Sequence, residues 1–274
     1  MKKYFFAILC LFFFLVCVPA QDAQESFLKA KEFLQQSNFS EALKCFEKAS
    51  QLEKLNLEYK REYLLLRQVI KVRKYLPKEP DQQRWSSMAF SLYTYYMQYK
   101  AYSEMLNIAK EIHEKAANND SFLLVAESYI IAQRNKEAIQ WISSVTPPTP
   151  FLQILYAVAT SRMGETEEGK KIYWELEKKE QKNSFYFFYK ASLEALIGYK
   201  ETSIKTLLLC FQNTPPQQIS LIKARVQDSK DFIELFQEQS FKEVMKTKSL
   251  IPESSCSEGK DCSSCPKRGK CGDE

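Results

Sequence analysis

The chain has 274 residues, with 39 Lys and Arg against 34 Asp and Glu, a formal charge of +5. That balance gives no general reason to expect nucleic acid or an anionic surface as a partner. Only six glycines occur, and three of them (Gly259, Gly269 and Gly272) fall in the tail, so a strand-rich fold with many tight turns is disfavoured and packed helices are expected.

Residues 1–20 read "MKKYFFAILCLFFFLVCVPA": Lys2 and Lys3, an apolar run from Tyr4 to Val18, and a small-residue site at Val18-Pro19-Ala20. This layout predicts a secretory signal peptide with Gln21 as the first mature residue. The run is shorter than the ~20 residues a spanning helix needs; retention as an anchor is the rival reading. Without residues 1–20 the formal charge falls to +3, since Lys2 and Lys3 leave and no acid does. An exported protein, periplasmic or extracellular, with no membrane span after cleavage is the expectation.

Residues 24–54 carry apolar and small residues at helical spacing in two runs, Phe27, Ala30, Phe33, Leu34 and then Ala42, Leu43, Phe46, Ala49, split by a polar "QQSN". That pattern predicts a helical hairpin. The spacing of Ala30, Phe33, Ala42, Phe46 and Ala49 returns at Ala126, Tyr129, Ala138, Ile142 and Val145. It returns again at Ala157, Thr160, Gly169, Tyr173, Leu176, and at Ala191, Glu194, Ser203, Leu207, Cys210. A weaker copy runs Tyr93, Tyr96, Met105, Ala109, Ile112. Small residues allow close helix approach, bulky ones fill the space beside them, and stacked neighbours must cover what one hairpin leaves exposed. Pro77 and Pro80, then Pro147, Pro148 and Pro150, then Pro215 and Pro216 mark breaks between helices. Residues 56–76 read as one long helix with no obvious hairpin partner.

These units resemble tetratricopeptide repeats, a helix–turn–helix family of about 34 residues per unit. The resemblance covers residues 23–54, 86–118, 119–150, 150–180 and 184–213. Residues 190–244 are similar to the module that closes many bacterial arrays of this family, with Asp231, Phe232, Leu235 and Phe241 in its acidic, paired-apolar and late-Phe places. The resemblance implies an all-α solenoid over residues 21–247, followed by a cysteine-rich tail over residues 248–274. It also implies a protein or peptide partner, held in a concave groove lined by the first helix of each hairpin. Carried over by register, that groove takes Phe90, Thr94 and Gln98, then Leu123, Glu127 and Ile131, then Ile154, Val158 and Arg162.

Catalytic signals are weak. His113 is the only histidine, which removes multi-His metal motifs, and no Gly-rich phosphate loop is present. "GETEE" at 164–168 reads as a helix start, where acids complement the dipole. A non-enzymatic binding scaffold is therefore expected. Aromatic runs at 91–102 and 184–191 suit repeat packing, but five consecutive aromatics, Phe185 to Tyr189, cannot all face one core. Asn38-Phe39-Ser40 and Asn119-Asp120-Ser121 match a glycosylation pattern and equally suit turns and helix caps.

The tail places Cys256, Cys262, Cys265 and Cys271 among almost no apolar residues, so staples or a metal are needed to order it. Disulfides are the default outside the cytoplasm. A tetrathiolate zinc or iron site, or thiol redox at Cys262 and Cys265, stay open as alternatives, and with them a metal-binding or thiol-redox function in place of the scaffold. Cys45 and Cys210 read as small buried hydrophobes.

Overall fold

The computed structural model describes residues 21–176 and 183–252. The described residues are helical, with no strand among them. Helix α1 covers residues 21–35. It is followed by α2 (Phe39–Leu52), α3 (Leu57–Tyr75), α4 (Gln82–Gln98), α5 (Tyr102–Lys115), α6 (Asn119–Ile131) and α7 (Asn135–Ile142). These lie in a first compact unit ending at Val145. The second unit begins at Thr146 and contains α8 (Pro150–Arg162), α9 (Thr166–Leu176), α10 (Ser184–Leu196), α11 (Lys200–Gln212), α12 (Pro216–Asp228) and α13 (Gln239–Val244). A 3-10 turn, Lys230–Leu235, lies between the last two.

One backbone device recurs. In the α1–α2 turn Ser37 is left-handed (φ 59°), its N–H donates to Leu34 C=O, and the Asn38 N–H donates to Phe33 C=O at 2.8 Å. The same pair of bonds closes the turns at Lys100 (φ 58°), Gln133 (φ 57°), Gly164 (φ 94°) and Gly198 (φ 89°). In each, the carbonyl of the residue after the left-handed one starts the next helix, at Ala42, Met105, Ala138, Gly169 and Ser203. Two bonds reach back over the last turn and satisfy carbonyls that the helix end would otherwise orphan. The chain is thus a helical repeat at backbone level, in phase with the ladder of small residues.

Burial follows that ladder. Ala30, Ala42, Phe46 and Ala49 are buried in the first hairpin, Ala126, Tyr129, Ala138 and Ile142 in α6–α7, and all five positions from Ala157 to Leu176 in α8–α9. Glu194 and Ser203, polar residues at ladder positions, are also fully buried. Ser203 Oγ donates to Ala191 C=O at 2.7 Å, and Glu194 lies 3.9 Å from Lys190 Nζ. Val145 and Phe33 are only half-buried.

Caps set the helix starts. Asn38, Asn56, Asp81, Thr149 and Asn183 each accept a first-turn N–H. Asn118, not Asn119, caps α6, and Ser121 returns the bond to the cap's own N–H. Thr166, Glu167 and Glu168 open α9 as the acid cluster suggests. Pro150 and Pro216 stand at the breaks, each as the first residue of the helix that follows, because proline's missing N–H costs nothing there.

The unplaced helix α3 packs against α2 and α4. Its Arg73 makes two bonds to Glu111 of α5, at 2.7 and 2.5 Å. Its buried Glu62 accepts from Tyr99 Oη. Neither link has a local sequence signature, since the partners lie 38 and 37 residues apart.

Non-glycine residues in the left-handed region cost about 1–2 kcal/mol relative to glycine's freedom there. Gln133→Gly is therefore expected to raise stability by roughly 0.5–1 kcal/mol after glycine's larger unfolded-state entropy is subtracted. Gly198→Ala, where an added Cβ meets nothing within 4 Å, should lower it by about 1 kcal/mol through the backbone alone. Urea unfolding of the two variants checks both signs.

Buried phenols and one thiol set the alkaline limit. Burial pushes Tyr96 and Tyr186 up to about 12, and Cys210 also to about 12. Burial also raises Tyr95 and Tyr99. In the folded state these groups hold protons that the unfolded chain releases near pH 9–10, so they stabilise the fold fully below that range. That contribution is lost as pH rises from about 9 towards 12. Thermal unfolding should show a Tm that is flat from pH 7 to 9 and falls steeply by pH 11. Tyr95→Phe removes a buried hydroxyl with no hydrogen-bond partner. It is expected to raise Tm at neutral pH and to shrink that fall.

Candidate functional site

The nine residues placed on a groove by register divide between the two units. On α4, Phe90, Thr94 and Gln98 are all exposed, four residues apart along one helix face. The opposite face of α4 explains why. Trp85, Ala89, Leu92, Tyr93 and Tyr96 take the core contacts, leaving this row to solvent. Phe90 is 49% exposed, so half of its ring is available to a partner. Thr94 Oγ1 donates to the Phe90 carbonyl at 2.9 Å, linking the two positions across one helical turn.

On α6, Leu123, Glu127 and Ile131 are half-buried. A bond from Ser128 Oγ to Tyr93 Oη, at 3.3 Å, sets α6 alongside α4. Thr94 and Glu127 are the immediate chain neighbours of that bonded pair. The α4 and α6 rows thus flank one seam, with an aromatic ring, a hydroxyl, an amide, a carboxylate and two aliphatic chains. Such a mixed surface can hold extended or helical peptide through apolar anchors and a few polar bonds.

The third row is largely enclosed. Ile154 and Val158 are fully buried, because α8 packs against both α9 and α10. Arg162 is engaged by Asp231, with Nε 3.0 Å from one carboxylate oxygen and an Nη 2.7 Å from the other. Ser192 Oγ donates to the same carboxylate. Asp231 came from the sequence as the acidic residue of the closing module, but its partner, 69 residues earlier, did not. Phe232, Leu235 and Phe241 of that module are buried.

His113 lies on α5, its Nδ1 3.0 Å from Ser121 Oγ and its ring edge-on to Phe122 and Trp141. Phe122 stacks on Trp141 at 4.9 Å, and Trp141 Nε1 donates to the Phe122 carbonyl. These contacts give the lone histidine a packing role. In the second unit Tyr186, Phe188 and Tyr189 are buried, while Phe185 and Phe187 are partly exposed, as five aromatics in a row require. Arg225 of α12 donates to Tyr189 Oη at 2.8 Å and lies over the Phe185, Phe188 and Tyr189 rings.

Cys256, Cys262, Cys265 and Cys271 lie outside the described residues, as do residues 1–20, read from the sequence as a signal peptide. Cys45 and Cys210 are both free thiols. Cys210 is buried, its Sγ donating to the Ser184 carbonyl, while Cys45 is half-exposed rather than buried as expected. Among the described residues no group of three or more His, Cys, Asp or Glu could hold a metal, and no helix is long and apolar enough to cross a membrane. No protein-family model matches the chain, and no curated protein sequence matches it significantly.

Proposed function

We propose that the chain is an exported tetratricopeptide-type repeat protein that binds a protein or peptide partner without catalysis. The observation that carries this reading is the five-fold recurrence of one turn, in phase with the small-residue ladder. Identical turns at a fixed distance from buried small residues generate similar stacked hairpins, and helix faces that no neighbouring element covers are left for a partner. The partner meets the first unit along α4 and α6, with Phe90 as the apolar anchor and Thr94, Gln98 and Glu127 as polar contacts. The second unit stiffens the chain through the Arg162–Asp231 link and the closing module. Export follows from the leader-like residues 1–20, and the tail cysteines are an appendage to the scaffold.

Photo-reactive residues placed at Phe90, Thr94 and Gln98 in the native organism test the proposal. One partner should be recovered from all three positions and none from Lys205, an exposed residue of α11. Equal recovery from Lys205, or no adduct at any of the three, would sink it.

A further inference from the structure

Residues 55–78 contain seven basic residues and two acids, a net +5, which equals the formal excess of the whole chain. All of the positive surplus therefore resides in one segment, α3 and its immediate flanks. A whole-chain average conceals this. Of the seven, Arg73 turns inward to Glu111, and the other six (Lys60, Arg61, Arg67, Lys71, Lys74 and Lys78) are exposed. Of the two acids, Glu62 is buried and accepts from Tyr99 Oη and from Arg61 Nη2, the latter at 3.1 Å, while Glu58 lies exposed among the remaining cations.

The same face carries apolar side chains. With 3.6 residues per turn, Leu57, Leu64, Gln68 and Tyr75 fall within about 40° of one line along α3. Leu57 is 80% exposed, Leu64 48% and Tyr75 55%, and Leu55 just before the helix is 94% exposed. The line runs for about 27 Å. Lys60, Arg67, Lys71 and Lys74 flank it on one side and Arg61 on the other.

We propose that this outer face of α3 docks the first unit onto an anionic lipid surface. Cations at headgroup level are each attracted by about 1 kcal/mol, while the leucines and Tyr75 reach the acyl boundary between them. Charge complementarity decides between occupants. A second copy of this chain would set like charges against each other. A nucleic acid would satisfy the lysines and leave the leucine line in water. The inference does not rest on the repeat assignment and concerns a face of its own, distinct from the α4–α6 rows.

Vesicle flotation in 0.1 M salt tests it, using the full chain as its producing cell releases it. Vesicles of phosphatidylcholine alone and of phosphatidylcholine with about 30% phosphatidylglycerol are the probes. The chain should float with the anionic vesicles and much less with the neutral ones. Lys60→Glu/Lys71→Glu/Lys74→Glu should weaken anionic partitioning by about a hundredfold or more. Leu57→Ser/Leu64→Ser should weaken it by roughly tenfold. All of these positions are exposed, so folding is retained and circular dichroism verifies it. Lys136→Glu/Lys205→Glu, on other exposed surfaces, should stay within about twofold, since the attraction acts only near the lipid. Wild type and variants share one N-terminus, so their ratios on anionic vesicles report on α3. Equal flotation with both vesicle types, or anionic flotation that charge reversal leaves unchanged, overturns the inference. Loss on charge reversal, with the leucine pair at wild-type strength and duplex DNA bound more tightly than vesicles, overturns it in favour of a polyanion.

Discussion

Asp231→Ala is expected to destabilise the second unit by about 3 kcal/mol. The carboxylate side chain is 5% exposed and receives both Arg162 donors and Ser192 Oγ. Removing it takes the ion-pair partner from a guanidinium that is only 17% exposed. Breaking one half of a buried pair commonly costs ~3–5 kcal/mol, and Arg162's residual access to water places this case at the lower end. Replacing both partners by apolar residues, Arg162→Met with Asp231→Leu, should recover most of the loss, because no charge is then left unpaired. Lys200→Ala breaks a second ion pair of the same unit, at 2.8 Å to Glu234. Those side chains are 46% and 71% exposed, so the change should fall below about 0.5 kcal/mol. Amide hydrogen exchange resolves the outcome by unit. Protection should drop in α8 and α10 and stay unchanged in α2 and α5.

Gly169→Ala is the second large effect. An added Cβ would overlap Ser161 Oγ and stand 3.3 Å from Leu193 Cδ1 and 3.4 Å from Ile197 Cγ2. Alanine gains about 1 kcal/mol over glycine in a helix interior, yet overpacking at a closed helix contact costs ~1–3 kcal/mol. A net loss of up to about 2 kcal/mol is expected, with the overlap winning. Ser161→Ala alone should be neutral or stabilising, since its buried hydroxyl has no hydrogen-bond partner. In the double variant the overlap disappears and the helix gain remains. Its stability should equal or exceed that of the wild type. A double variant no better than Gly169→Ala would show that Leu193 and Ile197, not Ser161, limit the approach.

The helices and the ladder were legible because small residues at a fixed spacing have one physical use, close helix approach, and burial respects it at Ala30, Ala126, Ala157 and Ala191. The turns were less legible. Ser37, Lys100 and Gln133 adopt a conformation that glycine would advertise, and the backbone bonds across the turn hold them there. Register predicted three equivalent rows, and the structure exposes one, half-buries another and encloses the third. Register sets which face of a helix a residue occupies, but neighbouring elements decide whether that face is covered. Around α8 the neighbours are α10 and the 3-10 turn bearing Asp231, the latter far away in sequence. The basic surplus of α3 was present in the sequence and hidden by averaging over the chain.

The most direct measurement of the central claim is the affinity of the crosslinked partner segment for the wild type and for Phe90→Ala, by calorimetry. Phe90 is half exposed, so its truncation leaves the core intact and removes only the anchor. Loss of a central aromatic contact costs about 2 kcal/mol in binding. The account predicts a Kd weakened at least tenfold in Phe90→Ala and unchanged in Leu221→Ala, an exposed apolar change on α12. Equal affinities for wild type and Phe90→Ala would contradict it.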